Sequence, residues 1–277
     1  MEKHSLTFVP SGGLANRMRA VASAIHACRA TGCPLHVVWF RDWALNARFA
    51  DIFRPIKAEG MTLREALPAD FVLNDRPRRR NLWMPRPIQR MVYDKIIDEQ
   101  QVTPLKRQGF DFNRWIGEGR NWMSCYQVFG DVPTTLYGEL FHPVDNVMQR
   151  VQAFESRFSE NTIGMHIRRT DNREAIEKSP TQLFIDLGRR EQQKNANLRI
   201  FLATDSEEVK NDMKRAFGNS LITAEAEASR SSADGLCDGL ADMYTLAHTQ
   251  HIYGTAGSSF SVMAAAIGQV EMTILER

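Results

Sequence analysis

The second half of the chain alternates between two patterns of apolar positions. Short runs of β-branched and other apolar residues predict strands at residues 162–167, 199–203, 221–223, 251–253 and 272–275. Between these runs, apolar residues recur at helical spacing, as in Leu236, Leu240, Met243, Tyr244 and Ala247. Because strand and helix alternate throughout, the pattern predicts a parallel, doubly wound α/β sheet.

The start of the chain shows the same alternation. Residues 6–10 predict a strand, a helix follows from near Asn16 to Gly32, and residues 35–40 predict a second strand. The turn before the helix holds two adjacent glycines, which let the backbone approach a ligand closely. Free amides at a helix start favour anions, and a plain tight turn is the alternative. The fingerprint Gly-x-Gly-x-x-Gly is absent, which argues against a nicotinamide site.

The middle of the chain has an irregular pattern. Three prolines predict no regular helix at residues 77–87, whereas residues 136–141 predict a strand and residues 147–158 a linking helix. The total of 277 residues is enough for two domains with cores of their own. We therefore predict two domains, comprising residues 1–145 and 146–277.

Local signals mark further element boundaries in the second half. The polar residues 171–178 predict a loop. Residues 179–182, Ser-Pro-Thr-Gln, predict a helix start with a capping box and a proline at the first helical position. Asp205 or Ser206 is the predicted cap of a further helix, whose first turn carries two glutamates that complement the helix dipole.

Polar side chains follow three of the predicted strands, at the point where each strand ends. They are His166, Arg168 and Arg169, then Thr204 and Asp205, then Thr255, Gly257, Ser258 and Ser259. In a parallel sheet these ends share one edge, where ligands of open α/β sheets bind. Arginine forks and free helix amides suit phosphates, and a carboxylate suits the paired donors of a base. The set predicts a nucleotide-diphosphate site, and a basic surface turn paired with Asp171 is the alternative.

Composition narrows the partners and the compartment. The formal net charge of +2 is too small to argue for nucleic acid as a general partner. No signal-peptide pattern follows the first residues and no apolar run is long enough to span a bilayer, so we predict a cytoplasmic location. The cysteines lack metal-ligand or redox spacing, which predicts buried free thiols in a reducing compartment. They are Cys28, Cys33, Cys125 and Cys237.

The stretch from Arg76 to Arg90 is rich in arginine and also holds Trp83. Arginine beside tryptophan suits an acidic acceptor, RNA, or peripheral contact with a membrane surface. RNA is disfavoured because Trp83 offers the stretch little aromatic surface on which bases could stack. A solvated loop is the alternative to membrane contact.

Four elements of the sequence resemble, in the same order, those of the α1,6-/O-fucosyltransferase superfamily. They are Gly-Gly-Leu-Ala-Asn-Arg from Gly12, His-Ile-Arg-Arg-Thr-Asp from His166, Phe-Leu-Ala-Thr-Asp from Phe201, and Asp-Met-Tyr from Asp242 with Gly-Ser-Ser-Phe-Ser from Gly257. The resemblance implies a GT-B-like fold, in which two Rossmann-like domains have parallel sheets facing a central cleft. It also implies an N-terminal acceptor domain, a C-terminal donor domain, GDP-fucose as donor, inversion at the sugar carbon, and no metal or other cofactor.

The resemblance also implies roles for particular residues. Arg168 falls at the phosphate-binding position, His166 and Asp242 at guanine-contacting positions, and Ser258 or Ser259 at a phosphate-contacting position. The rest of the predicted donor-binding set is Gly12, Gly13, Asn16, Arg17, Arg169, Asp171 and Asp205.

The acceptor side departs from the core α1,6-fucosyltransferases. Asn172 stands where those enzymes have lysine, and Glu174 and Glu177 do not fall at their proposed base position. We predict that Glu174 or Glu177 deprotonates the acceptor hydroxyl, with Asp171 as the next candidate.

The predicted function is metal-independent transfer of fucose from GDP-fucose to a glycan hydroxyl. Arg168 would stabilise the leaving diphosphate in place of a metal, since the chain has no Asp-x-Asp to hold one. One alternative is a transferase that uses another nucleotide sugar. The other is a non-catalytic domain that binds a nucleotide or a glycan.

Overall fold

A computed structural model of the chain describes residues 4–77, 85–169, 173–225 and 232–277, without the side chains of Glu174 and Ala175. It divides into two compact units, Met1–His142 and Pro143–Arg277. Within the described ranges, no helix is both long and apolar enough to cross a membrane.

The first unit is built on a five-stranded sheet in the order β3-β2-β1-β5-β4, and each recorded pairing in it is parallel. Its strands are β1 (Ser5–Pro10), β2 (Leu35–Trp39), β3 (Met61–Glu65), β4 (Lys95–Ile97) and β5 (Arg120–Cys125). Its helices are α1 (Leu14–Thr31), α2 (Phe49–Ile52), α3 (Asp70–Leu73), α4 (Pro85–Val92), α5 (Glu99–Arg107), α6 (Phe112–Gly117) and α7 (Thr135–Leu140).

The second unit has a five-stranded sheet in the order β10-β9-β6-β7-β8, again with parallel pairings. Its strands are β6 (Thr162–Ile167), β7 (Arg199–Thr204), β8 (Leu221–Thr223), β9 (Ile252–Thr255) and β10 (Met272–Leu275). Its helices are α8 (Asp145–Glu155), α9 (Arg173–Lys178), α10 (Thr181–Lys194), α11 (Glu207–Phe217), α12 (Ala233–Ala247) and α13 (Ser259–Gly268). The predicted parallel α/β architecture with two sheets is confirmed.

Both sheets place their first strand at the centre, so that the chain winds outward from it in two directions. The strand order therefore reverses between β1 and β5 in the first unit, and between β6 and β9 in the second. At such a switch point, adjacent connections leave the sheet on opposite sides and open a crevice at the carboxyl ends of the strands. This topology marks one candidate binding position in each unit.

Strand β6 has different packing partners on its two faces. Alternate residues from Ile163 to Ile167 join a core cluster with residues of α10 and α11. Gly164 and His166 lie on the other face. A side chain at Gly164 would clash, because its Cβ would lie 2.7 Å from the Oγ1 of Thr249, just after α12. Glycine here lets the C-terminal end of α12 approach the strand that carries His166.

Several local boundaries follow the sequence signals. Gly32 ends α1 in the left-handed conformation, with a φ of 63°, which favours glycine. Ser206 caps α11, since its side chain accepts a hydrogen bond from the amide of Val209. Helix α12 starts at Ala233, before Leu236, the first position of its predicted apolar pattern, because Ser232 caps it.

Three predictions for short segments are wrong. Residues 136–141, predicted as a strand, belong mostly to helix α7, in which Leu136, Tyr137 and Leu140 are buried at helical spacing. The prolines at residues 77–87 predict no regular helix, yet Pro85 and Pro87 lie in the first turn of α4. Amide hydrogens in the first turn of a helix make no intrahelical hydrogen bond, so proline costs little there. The predicted loop at residues 171–178 contains helix α9 from Arg173 onward.

The predicted capping box before α10 is also wrong. Pro180 is the N-cap residue, outside the first turn, and no side chain caps this described helix. The hydroxyl of Ser179 instead accepts a hydrogen bond of 2.9 Å from the amide of Ala256, after β9. A tertiary contact has taken the group that would have capped the helix.

Candidate functional site

His166 lies at the carboxyl end of β6, at the switch point of the second unit. Its ring stacks on Phe260, with centroids 4.7 Å apart and planes inclined by 27°. Its Nδ1 lies 3.5 Å from the Oγ of Ser258. Burial lowers the pKa of His166 to about 4, Asp205 opposes the shift, and the charge of Arg168 adds to it. The imidazole is therefore neutral at pH 7 and acts as a hydrogen-bonding group.

The start of helix α13 faces the same switch point. Ser258 is buried and caps the helix, accepting a hydrogen bond of 3.4 Å from the amide of Phe260. Gly257 precedes it with a φ of 66°, and the half-buried Ser259 is the first helical residue. A helix start offers unpaired amides and a partial positive charge, which suit a phosphate group.

The two arginines after β6 have different surroundings. The guanidinium of Arg169 donates to the carbonyls of Arg168 at 2.8 Å and Ser179 at 2.7 Å, and to the hydroxyl of Thr181 at 3.0 Å. Its backbone amide donates to Asp205 at 2.7 Å. Arg169 is thus turned inward, and its guanidinium binds two carbonyl oxygens and one hydroxyl oxygen of the protein. These are the contacts of a structural arginine. Arg168 is half-buried beside His166, whose pKa its charge lowers.

Replacing Arg169 with lysine should destabilise the protein, because one ammonium group cannot reach all three oxygens. Loss of such charge-assisted hydrogen bonds costs about 1.5–3 kcal/mol each, and partial loss should lower the Tm by several degrees. Thermal unfolding of Arg169→Lys measures this effect, with Arg189→Lys, exposed on α10, as the matched control. An unchanged Tm in Arg169→Lys would contradict the structural role.

Asp242 lies on α12 and is buried, with only 6% of its surface exposed. Its Oδ1 has no hydrogen-bond partner among the described residues. Burial raises its pKa to about 7, while Lys210 opposes the shift and Asp238 adds to it. The residue lines a cavity of about 550 Å³ beside β8, together with Arg150, Thr223 and other side chains. A buried carboxylate oxygen without a partner is costly, which suggests that a ligand supplies the missing donor.

The two other carboxylates on this face of α12 are paired with an arginine. Asp238 pairs with Arg150, which also binds Asp234 at 2.5 Å. No hydrogen bond among the described residues joins Asp242 to His166, and Asp242 lines the cavity beside β8. The structure thus gathers His166, Arg168 and Ser258 at one end of the sheet.

The glycine turn of the first unit is held by a buried arginine. Arg17 is fully buried, and its Nε donates to the carbonyl of Gly12 at 2.9 Å. Its two terminal nitrogens donate to the carbonyl of Phe40 at 2.5 Å and to Asp42 at 2.9 Å. Gly12 has a φ of 79°, and Gly13 is the N-cap residue of α1. These contacts give Arg17 the role of ordering the turn.

Comparison with known proteins shows that the chain is similar in fold to fucosyltransferases. No protein-family model matches the chain, and no curated protein matches it. Solved structures do match, across nearly the whole chain. NodZ α1,6-fucosyltransferase soaked with GDP-fucose is 16% identical, with a TM-score of 0.66 over 96% of this chain and 93% of that one. NodZ from Bradyrhizobium gives the same identity and TM-score.

Two further matches extend the comparison. A mutant of Arabidopsis thaliana FUT1 in complex with GDP is 17% identical, with a TM-score of 0.62 over 99% of this chain and 70% of that one. POFUT1 in complex with GDP-fucose is 9% identical, with a TM-score of 0.59 over 99% of each chain. The chain has the fold of these fucosyltransferases.

Some predicted site residues stay predictions. Asp171 and the side chain of Glu174 lie outside the described residues, and Glu177 is exposed on α9. Asn16 is half-buried in the first turn of α1, and its contact with a donor stays a prediction.

The arginine-rich stretch is only partly described. Residues 78–84, which include Trp83, lie outside the described ranges. Arg76 is buried and pairs with Asp42 and Glu99, and Arg86 pairs with Asp98. Two of its arginines therefore have partners within the first unit, and contact with a membrane stays a prediction.

Sequence reasoning missed two contributors to the site in the second unit. Phe260 was the only aromatic residue in the Gly-Ser-Ser-Phe-Ser run, which could have marked it as a packing partner. Ser179 joins the loop before α10 to the segment after β9 through its hydroxyl. Its partner is 77 positions away, so no local pattern could have shown this bond.

Proposed function

We propose that the protein is a glycosyltransferase that moves fucose from GDP-fucose to a hydroxyl group of a glycan. The observation that supports this most is the switch point of the second unit, where Arg168, neutral His166 and the start of α13 at Ser258 surround one edge of the sheet. Fixed positive charge and free amides there suit the diphosphate of a nucleotide sugar. The shared fold with proteins crystallised with GDP or GDP-fucose supports the choice of donor.

The proposed reaction is a single displacement with inversion. The acceptor oxygen bonds to the sugar's C1 as the bond from C1 to the phosphate oxygen breaks, and the electron pair leaves with GDP. Negative charge grows on that phosphate oxygen, and we propose that Arg168 and the amides at the start of α13 stabilise it. We therefore propose that the transfer requires no metal ion.

Asp242 is the proposed reader of the guanine base. An ionised carboxylate can accept hydrogen bonds from the N1–H and N2–H₂ groups that guanine presents together. Uracil offers one N–H donor at its corresponding edge, so the same carboxylate would discriminate against UDP-sugars. The unpartnered Oδ1 of Asp242 supports this assignment.

The acceptor side of the reaction is proposed from the sequence. We propose that the first unit binds the acceptor and that the second unit binds the donor. Glu174 or Glu177 is proposed as the group that takes the acceptor proton, and the turnover of a double alanine variant tests that role. Removal of a general base typically lowers the rate by about 10²–10⁴-fold.

Ligand-dependent stability and donor turnover test the proposed function. GDP should raise the Tm more than UDP, CDP or ADP at equal concentration, because a ligand that binds only the folded state stabilises it. With GDP-fucose, the protein should release GDP slowly to water and faster with a suitable glycan, and EDTA should change neither rate.

The outcomes separate the alternatives. Equal Tm shifts for all four nucleotides would contradict a guanine-specific site. A GDP shift without any release of GDP from GDP-fucose would indicate a binding domain. Loss of activity in EDTA, with recovery on addition of manganese or magnesium, would show that a metal is required.

A further inference from the structure

The carboxyl ends of four strands in the first unit are followed by polar or aromatic residues. Ser11 follows β1, Asp42 comes shortly after β2, Glu99 begins α5 after β4, and Tyr126 follows β5. These positions surround the switch point between β1 and β5, where a ligand crevice is expected in an open α/β sheet. The role proposed for the second unit does not use any of them.

A continuous network of hydrogen bonds and ion pairs joins these residues. The hydroxyl of Ser11 donates to Oε2 of Glu99 at 2.6 Å, and Arg76 donates to the same oxygen at 3.3 Å. Arg76 also binds Asp42 at 3.1 Å, and Asp42 in turn binds Arg17 at 2.9 Å. The side chains of Arg17, Asp42 and Arg76 are 0%, 4% and 10% exposed. Buried charges that are paired in this way hold one another in a single arrangement.

Glu99 is the accessible end of the network. Its side chain is 32% exposed, and its bonds to Ser11 and Arg76 both use Oε2. Its Oε1 accepts no hydrogen bond from the described residues. The carboxylate is thus oriented from behind by two buried donors while one oxygen stays available to a ligand.

A second observation at this end of the sheet also indicates a ligand. The hydroxyl of Ser124 is fully buried and has no hydrogen-bond partner among the described residues. Ser124 pairs with Val9 in the sheet, and Ser11 lies two residues beyond Val9, so both serines belong to the same face. Buried hydroxyls are nearly always hydrogen-bonded, so this one is suited to a water or a ligand hydroxyl.

The charges of the network decide which ligand fits. The available atom is a carboxylate oxygen, which would repel a phosphate or an acidic sugar. A sugar hydroxyl can donate a hydrogen bond to this oxygen, and it carries no charge that would have to be removed from water. Tyr126, 41% exposed after β5, adds an aromatic surface of the kind that packs against sugar rings.

We propose that this edge of the first unit binds a neutral sugar of the glycan acceptor, with Oε1 of Glu99 accepting a hydrogen bond from a sugar hydroxyl. The inference rests on the proposed glycosyltransferase function and names the acceptor class and the residue that contacts it. Glu99→Gln is the decisive variant. Its amide oxygen must face Ser11 and Arg76, which turns the amide nitrogen toward the sugar hydroxyl and replaces the charge-assisted hydrogen bond with a weaker neutral one.

Fluorescently labelled protein on an array of neutral and sialylated oligosaccharides, with GDP present, tests the proposal. The parental protein should bind neutral glycans, and Glu99→Gln should weaken that binding about 10- to 100-fold. Glu118→Gln is the matched control, because this exposed glutamate pairs with Lys95 and Arg114 near the amino end of β5. It should bind like the parental protein.

Several results would overturn the inference. They are binding to sialylated glycans alone, no binding to any neutral glycan, or equal binding by Glu99→Gln and the parental protein. If Glu99→Gln shows no cooperative unfolding by circular dichroism, Tyr126→Ser decides instead, and its unchanged binding would reject the site. The array does not depend on turnover. Binding of neutral glycans through Glu99 by a protein that does not bind GDP would therefore refute the proposed function but support this site.

Discussion

Replacing Arg168 with lysine should lower kcat by about 10²–10³-fold while weakening GDP binding much less. In the proposed transfer, negative charge develops on the phosphate oxygen as fucose leaves, so an interaction with that oxygen is stronger in the transition state than in the ground state. Lysine keeps the charge but loses the two-pronged, planar geometry of the guanidinium. Steady-state kinetics with GDP-fucose, combined with GDP affinity by calorimetry, separate the two effects.

The neighbouring arginine provides the sharpest contrast for this result. The guanidinium of Arg169 donates hydrogen bonds to Ser179, Thr181 and the carbonyl of Arg168. Arg169→Lys should therefore have a lower Tm, while its kcat at a temperature where it is folded should change little. A near-parental kcat in Arg168→Lys, together with a large loss in Arg169→Lys, would reverse the assignment of the two residues. Arg189→Lys, exposed on α10, should change neither property.

Replacing Asp242 with asparagine should weaken GDP binding about 10- to 100-fold. Only the ionised carboxylate accepts both guanine donors, whereas the asparagine amide presents one acceptor and one donor group. The measurement is GDP affinity of the variant and the parental protein at pH 8. Asp212→Asn is the control, since Asp212 pairs with Arg215 on α11. Equal affinity in Asp242→Asn and the parental protein would show that Asp242 does not contact the base.

The raised pKa of Asp242 makes the same prediction pH-dependent. Burial raises the pKa of the unliganded protein's Asp242 to about 7, so the carboxyl is increasingly protonated below that pH. GDP must then displace a proton, and its affinity should fall by about tenfold for each further pH unit, whereas above pH 7 it should level off. The phosphate of GDP also titrates near pH ~6. Asp242→Asn, which has no carboxyl group at this position, measures this phosphate contribution with GDP, and only the parental protein should show the additional slope below pH 7.

The sequence by itself determined the architecture, because buried parallel strands require apolar runs whatever their neighbours. The run Thr162–Ile167 is buried along its whole length, and its polar continuation emerges at the sheet edge. Sheet topology then brings the end of β6 beside the segment after β9, so the proximity of His166 and Ser258 could be expected from strand order. Caps such as Ser206 could also be expected, since the groups that satisfy them are within a few residues.

Short helices were decided by tertiary packing. An isolated helix of six residues, such as Thr135–Leu140, is too short to be stable from its own propensity. Its buried face, with Leu136 and Tyr137, is what selects the helix. Arg173–Lys178 is another helix of six residues that local sequence signals assigned to a loop, but its described side chains are exposed, so a buried face does not explain it.

Only the tertiary structure could decide which charged groups are paired and which remain available. The two adjacent arginines after β6 look alike in sequence, yet the carbonyl of Ser179 turns Arg169 inward. Ser11 and Glu99 are 88 positions apart, and their contact orients a carboxylate that no local pattern singled out. Hydrogen bonds and ion pairs depend on distance in space, which for residues on different strands is set by the folded sheet, whereas apolar periodicity is already written along the chain.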